Sequence, residues 1–407
     1  MSSSSINTTN NNKKETILLF ALENINNVGE ELLRETTEYL INSSSQNIEI
    51  KIAQFKPTDI NSLKRYKLAH RLSYYVKRIA EHFTGNTSYK ILNLSYIIRY
   101  TRYFEDLISC SDRVITSVGM FKYSTQDFSY TYHLIAKICQ KYHKPLMISA
   151  ASIEVYNPND WRSKQLVKAA NYSSVKMITT RDGIVGLKVL KDYYYKTNHF
   201  LLDDVADPAL WIPECYNTRR RQTTKSTPYV GINVIRKGIF DDYNKSFTDN
   251  QLTQIYIELI EEIERRGWKW TIYSNGITHD MTVIKELQSI MSFSNDHILD
   301  QHRNAKEFID LINNFDVIFG ARLHSCITAV ALGIPVVGFI WDEKIKHFSE
   351  TTKRQPFFFE PKEMKAKSII YAIEHAMEYE YDFRNIDYLK HKTKSAIRRF
   401  LEIQYKQ

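Results

Sequence analysis

The chain has 407 residues, 43% hydrophobic and 25% charged, with a formal charge of +9 and a pI near 9.0. This is the composition of a globular protein long enough for two domains of about 150 residues each. No apolar run reaches the ~18 residues needed to span a bilayer, and Cys110, Cys139, Cys215 and Cys326 form no Cys-x-x-Cys pair, which argues against a disulfide scaffold or structural zinc and fits a reducing cytosol.

Residues 1–14 are polar and of low complexity and read as a disordered tail without the apolar segment of a signal peptide. From residue 15 onward, buried-strand runs alternate with helical periodicity. Thr16 to Leu22 reads as a strand, Gly29 to Leu40 as a helix, and Ile48 to Phe55 alternates with period two. Asp112 to Val118 is a strand, Phe128 to Tyr142 an amphipathic helix, and Leu146 to Ile153 and Val175 to Thr180 are further strands. Residues 215–228 are polar and arginine-rich and read as a linker. Beyond it Tyr229 to Ile235 is a strand, Asp249 to Arg266 a helix capped by Thr248 or Asp249, and Trp268 to Ser274 a strand. Ala305 to Asn313 is a helix. Asp316 to Ala321, Ser325 to Leu332 and Val336 to Ile340 form a βαβ unit whose helix is closed by Gly333 and Pro335. From Lys362 the chain is helical and charged. The expected fold is therefore α/β, with two Rossmann-like domains, 15–214 and 229–407, facing a cleft.

Charged residues cluster directly after predicted strands: Arg181 and Asp182, Arg236 and Lys237, Arg322 and His324, with Asn275 in the same kind of position. Ligands of parallel sheets bind at these strand ends. Arg322 and His324 also open a helix whose first residue is Ser325, where free N–H groups favour an anion. Arginine matches carboxylate and phosphate with a two-pronged fork. Three arginines without a metal-ligand cluster suggest a small, densely anionic substrate and no obligatory metal or cofactor. The positive charge carries no nucleic-acid motif, so nucleic acid is not an expected partner.

The stretches GARLHSCITAVALGIPVVGFIWDEKIKHF (320–348), VKMITTRD (175–182), VADPALW (205–211), GINVIRKGIF (231–240) and YSNGITHD (273–280) resemble the polysaccharide pyruvyl transferase family. The resemblance runs from about Thr16 to about Pro361. It implies a fold similar to GT-B glycosyltransferases and transfer of the pyruvate unit of phosphoenolpyruvate onto sugar hydroxyls of a cell-surface polysaccharide or its precursor. The family often has Asn-x-Gly-Asp in the first strand-to-helix turn, where this chain has Asn27-Val28-Gly29-Glu30. That turn lies in the N-terminal domain, the expected acceptor side, and carries Gly29 and Glu30 as substrate-binding positions.

Phosphoenolpyruvate carries a carboxylate and a phosphate, which accounts for Arg181, Arg236, Lys237 and Arg322. His324 is the expected general acid, protonating either the enol carbon or the leaving phosphate. Asp182, Glu30 and Asp280 are the alternatives for the base, and Asn275 and Ser325 are expected at the substrate. His347 is a second acid candidate, with an exposed helix histidine as the simpler reading. The competing functions are a GT-B glycosyltransferase using a nucleotide sugar and a non-catalytic binding protein of the same fold. The expected location is the cytoplasm, with a lipid-linked acceptor drawing the protein to the inner membrane face.

Overall fold

The computed structural model describes residues 14–22, 27–57, 67–124, 126–197, 199–219, 227–243, 245–299 and 304–404. Apart from Lys14, the expected disordered tail lies outside these residues, as does 220–226 of the expected linker. Two parallel sheets form the frame.

The first sheet is built from β1 (Glu15–Ala21), β2 (Ile48–Gln54), β3 (Arg113–Ser117), β4 (Met120–Phe121), β5 (Leu146–Ile153), β6 (Val175–Thr180) and β7 (Leu201–Asp204). Its order is β2-β1-β3-β5-β6-β7, with β4 paired to β5. The strands are apolar on both faces because helices cover both sides. Along β1, Leu18 and Phe20 face one core and Ile17 and Leu19 the other. The first core is closed by α3 (Gly85–Ile108), α4 (Ser129–Lys141) and α5 (Trp161–Ala170), and the second by α1 (Val28–Asn42). Between β2 and α3 runs α2 (Lys67–Ala80), and α6 (Gly183–Val189) and α7 (Ile212–Cys215) complete this half.

The second sheet has β8 (Tyr229–Asn233), β9 (Lys269–Tyr273), β10 (Val317–Gly320), β11 (Val336–Phe339) and β12 (Phe358–Phe359), in the order β12-β11-β10-β8-β9. Its helices are α8 (Ile239–Asp242), α9 (Asp249–Arg265), α10 (Thr278–Met291), α11 (Ala305–Ile312), α12 (Leu323–Leu332), α13 (Glu343–Thr351) and α14 (Ala366–Glu378). The start of α9 is fixed by a capping box between Thr248 and Gln251.

The last helix, α15 (Phe383–Leu401), departs from the expected domain plan. Assigned from sequence to the C-terminal domain, it instead returns to the first sheet. Ala396, Ile397 and Phe400 enter the core made by Ile17, Leu19, Ile115, Met147 and Met177. Arg113 of β3 reaches out to its end, donating to the carbonyls of Phe400 (3.1 Å) and Ile403 (2.9 Å). The halves are further joined by an apolar seam, since Val28 and Leu32 of α1 and Ala209, Leu210 and Ile212 belong to the core of the second sheet.

Because Phe400 is fully buried, Phe400→Ala should cost about 3–5 kcal/mol of stability in urea unfolding. Tyr388→Ala, on the exposed side of the same helix, should stay within about 0.5 kcal/mol. Equal costs for the two would show that α15 does not dock through Phe400.

Candidate functional site

In each sheet the strand order reverses once, between β1 and β3 and between β8 and β10. A crevice opens at the carboxyl ends of strands where such a reversal occurs. The chain leaves β1 into the turn that opens α1 and leaves β10 into the turn that opens α12, so Gly29 and His324 are each the second residue of a helix beginning at such a point.

These two helix starts touch. The His324 ring lies against Gly29 so closely that a Cβ at position 29 would overlap its Nδ1. Only glycine permits this approach. Asn27 caps α1 through Gly29 N–H (3.1 Å), and Val28 N–H donates across the joint to the Asn275 carbonyl (3.2 Å). On the C-terminal side Asn233 at the end of β8 holds the α12 turn by accepting from Arg322 N–H (2.8 Å).

Three buried groups of the N-terminal half surround the ring. Asp207 stands 3.8 Å from His324 Nε2, and Arg181 pairs with Asp207 and donates to the Gly119 carbonyl (2.9 Å). Glu30 is buried beside them. His324 Nε2, Glu30 Oε2 and Arg181 Nε are buried without a hydrogen-bond partner. Buried polar atoms are ordinarily satisfied, so three orphans at one joint mark a place prepared for something else. Burial lowers the His324 pKa from its usual 6.5 to about 4, with Arg181 and Lys344 adding to the effect and Asp207 opposing it. The imidazole is therefore neutral near pH 7. Burial moves Glu30 the other way, raising its pKa against the pull of Arg181 and Lys344.

The joint adjoins a cleft of about 610 Å³ between the halves. Lys122, Ser152, Glu154 and Asp182 line it from one side, and Tyr243, Asp342, Lys344 and His347 from the other. Burial, and then the charge of Lys344, brings Lys122 down to about 8. Burial also raises Asp342, whose side chain caps α13 at Ile345 N–H (3.0 Å). A smaller cavity of about 40 Å³, ringed by Arg181, Asp207, Lys344 and His347 among others, has room for about three waters.

The sequence model of the polysaccharide pyruvyl transferase family matches residues 27–343, from the α1 turn to the start of α13. The chain belongs to this family. No curated protein matches it. Among solved structures it is similar to UDP-GlcNAc 2-epimerase from Neisseria meningitidis bound to UDP-GlcNAc, with TM-score 0.56, 12% identity and coverage of 96% of this chain and 100% of that one. UDP-GlcNAc 2-epimerase from Methanocaldococcus jannaschii gives 0.54, 12%, and 91% and 94%. A UDP-glucosyltransferase from Polygonum tinctorium gives 0.51, 9%, and 96% and 99%. These likenesses establish the GT-B-type fold that the family resemblance implies.

The fold places the expected site residues of this pyruvyl transferase family member in different settings. Asp280 is not positioned as a free base. It is fully buried and grips Arg322 at Nε (2.9 Å) and Nη2 while accepting from Arg236 N–H (2.9 Å). Burial raises its pKa and the two bonds from Arg322 pull against that rise. Arg322 thus spends two of its five donors on Asp280, through the Nε and Nη2 edge of its fork. Arg236 pairs with Asp242 and Lys237 with Glu286. Each of the three arginines, Arg181, Arg236 and Arg322, therefore carries its own carboxylate.

Asn275 and Ser325 are buried, and the Ser325 hydroxyl donates to Asn275 Oδ1 (2.7 Å), which ties the turn after β9 to the first turn of α12. Asp182 lines the cleft but accepts from Ser152 Oγ (2.8 Å) and Ile153 N–H (2.7 Å). His347 is not an exposed helix histidine. Its ring sits on Gly183, whose φ of +56° and close contact both demand glycine, and its Nε2 is buried and unpartnered. Sequence reasoning gave Asp207, Lys344, Asp342 and Lys122 no role. Asp207 was visible in the Asp-Pro-Ala element and Asp342 and Lys344 in the segment after the last long strand, but only the fold brings Lys122, Asp342 and Lys344 to one cleft and Asp207 to the smaller cavity beside it.

A depressed histidine pKa has a defined effect on stability. Between pH 6.5 and about 4 the unfolded chain takes up a proton at His324 that the folded chain refuses, so folding weakens as pH falls through that window. Wild-type protein should lose stability relative to His324→Gln across that range in urea unfolding. A difference that does not change with pH would mean that His324 titrates normally.

Proposed function

We propose that the protein transfers the pyruvate unit of phosphoenolpyruvate onto two hydroxyls of a sugar in a cell-surface polysaccharide or its precursor, releasing phosphate and leaving a cyclic ketal. The observation that carries this reading is the buried joint of Glu30, Arg181, Asp207 and His324, whose orphaned polar atoms lie where two helix N-termini meet. Membership of the family supports it.

The open N–H groups at the start of α12, where Arg322 makes no side-chain cap, and Lys344 receive the phosphate and carboxylate of the donor. The acceptor sugar lies in the 610 Å³ cleft, within reach of Asp182 and Asp342. Opposed pKa shifts assign the proton carriers. Glu30, raised by burial, gives its proton to C3 of the donor, turning the enol methylene into a methyl group and C2 into an electrophile. Neutral His324 accepts the proton of the first sugar hydroxyl as its oxygen bonds to C2. The imidazolium so formed is balanced by Asp207 and returns its proton to the phosphate as the C2–O bond breaks. The second hydroxyl closes the ketal at C2 and its proton restores Glu30. One donor and two hydroxyls give one ketal and one hydrogen phosphate. A closed, dry joint protects the cationic C2 centre from water.

The test is calorimetric binding of phosphoenolpyruvate together with phosphate release in wild type, His324→Ala and Glu30→Gln. Both variants should retain donor binding while turnover falls by about 10²–10⁴. Turnover within tenfold of wild type in both would overturn the assigned roles. Binding of a uridine nucleotide with none of phosphoenolpyruvate would overturn the reaction itself in favour of glycosyl transfer.

A further inference from the structure

We propose that α2 is a membrane-docking helix, which lays an apolar stripe into the surface of an anionic bilayer and holds the mouth of the cleft against the lipid. Leu68, Leu72, Tyr75 and Ile79 are spaced by four, three and four residues and so share one face of α2. Each is more than half exposed. Phe83, just past the helix end, is also exposed. The helix is held instead by its small side: Ser73 and Ala80 are buried, and Ser95 Oγ of α3 donates to the Ser73 carbonyl (2.7 Å). A monomer rarely leaves an apolar stripe of this kind without a partner.

Charge selects the partner. Lys67, Arg71, Lys77 and Arg78 are the charged residues of α2, which contains no Asp or Glu. Glu81, beyond its end, pairs with Arg78 at 3.5 Å, so three cations remain unmatched by it. Lys67 and Arg71 flank the apolar stripe on its solvent side. A helix with bulky apolar residues on one side, tyrosines at the boundary and only basic charge is matched by a surface that offers both acyl chains and negative headgroups.

The position of α2 connects this surface with the cleft. Asn86, at the start of α3, donates to the Asn159 carbonyl (2.9 Å) and accepts from Trp161 N–H (2.8 Å). The segment so gripped begins with Glu154 and Val155, which line the cleft. Val155 and Val185 of α6 both line the cleft and are exposed, which makes part of its open edge apolar. A lipid-borne sugar at the bilayer surface would therefore meet the cleft directly. This last step rests on the pyruvyl-transfer reading; the docking does not.

The experiment is co-sedimentation of the full chain with vesicles of phosphatidylcholine alone and of phosphatidylcholine with phosphatidylglycerol. Wild type should partition at least about tenfold more strongly onto the anionic vesicles. Lys67→Glu/Arg71→Glu should lose at least about 25-fold, from roughly fivefold for each positive charge removed near the surface. Leu72→Ser/Ile79→Ser should also release the protein, with unchanged circular dichroism and unchanged turnover of a soluble acceptor. Equal partition onto neutral and anionic vesicles, or wild-type partition of both variants, would overturn the proposal. So would light scattering that shows a dimer broken by the serine variant, with no vesicle binding by wild type. Vesicle binding without any pyruvyl transfer would leave the docking standing and remove the reaction.

Discussion

The contact between the His324 ring and Gly29 sets the rest of the site. It brings the N-termini of α1 and α12 face to face, and each carries a positive partial charge from its aligned peptide groups. Two such ends repel unless negative charge lies between or beside them. Asp207 supplies part of it, buried against Arg181. The same burial strips His324 of its proton and favours keeping one on Glu30. One steric fact, the absence of a Cβ at position 29, thus allows the joint to close, dries it, and shifts the two groups in opposite directions.

The arginines take a different part from the one their positions suggest. A basic protein with arginines after several strands invites the picture of an open cationic cleft. Instead Asp207, Asp242 and Asp280 each neutralise one of them. Removing one member of the buried pairs, Arg181–Asp207 or Arg322–Asp280, leaves an uncompensated charge, so these residues hold the strand ends in place as much as they confer charge. Asp280 links the turns after β8 and β10 by binding both Arg236 and Arg322. Among the described residues, Lys344 makes no ion pair within 4 Å, and it lines both cavities of the joint.

Much of the fold was legible because it is written locally. β5 and β6 match their predicted limits since continuous apolar runs, bounded by polar residues, have no other use in a two-faced sheet. The start of α9 was readable from Thr248. What escaped was tertiary. Arg322 and Asp280 lie 42 residues apart, and nothing near either names the other. The docking of α15 depends on the register of Ala396, Ile397 and Phe400 against a sheet begun at residue 15, which a charged amphipathic pattern does not disclose. β7 was overlooked because its sequence, LLDD, is short and half exposed at the sheet edge. α2 and α3 were legible but overlooked, since Leu68, Leu72, Tyr75 and Ile79 in the first and Tyr100, Phe104 and Ile108 in the second recur at helical spacing.

The proposed pyruvyl transfer at this joint is tested most directly by following the reacting carbon. Phosphoenolpyruvate labelled with carbon-13 at C2 would be incubated with the protein and a panel of methyl hexosides, and the labelled carbon followed by NMR. The enol signal should give way to that of a quaternary ketal carbon, with one inorganic phosphate released for each ketal formed. An enol carbon that persists across the panel while the protein cleaves a uridine-diphosphate sugar would contradict it.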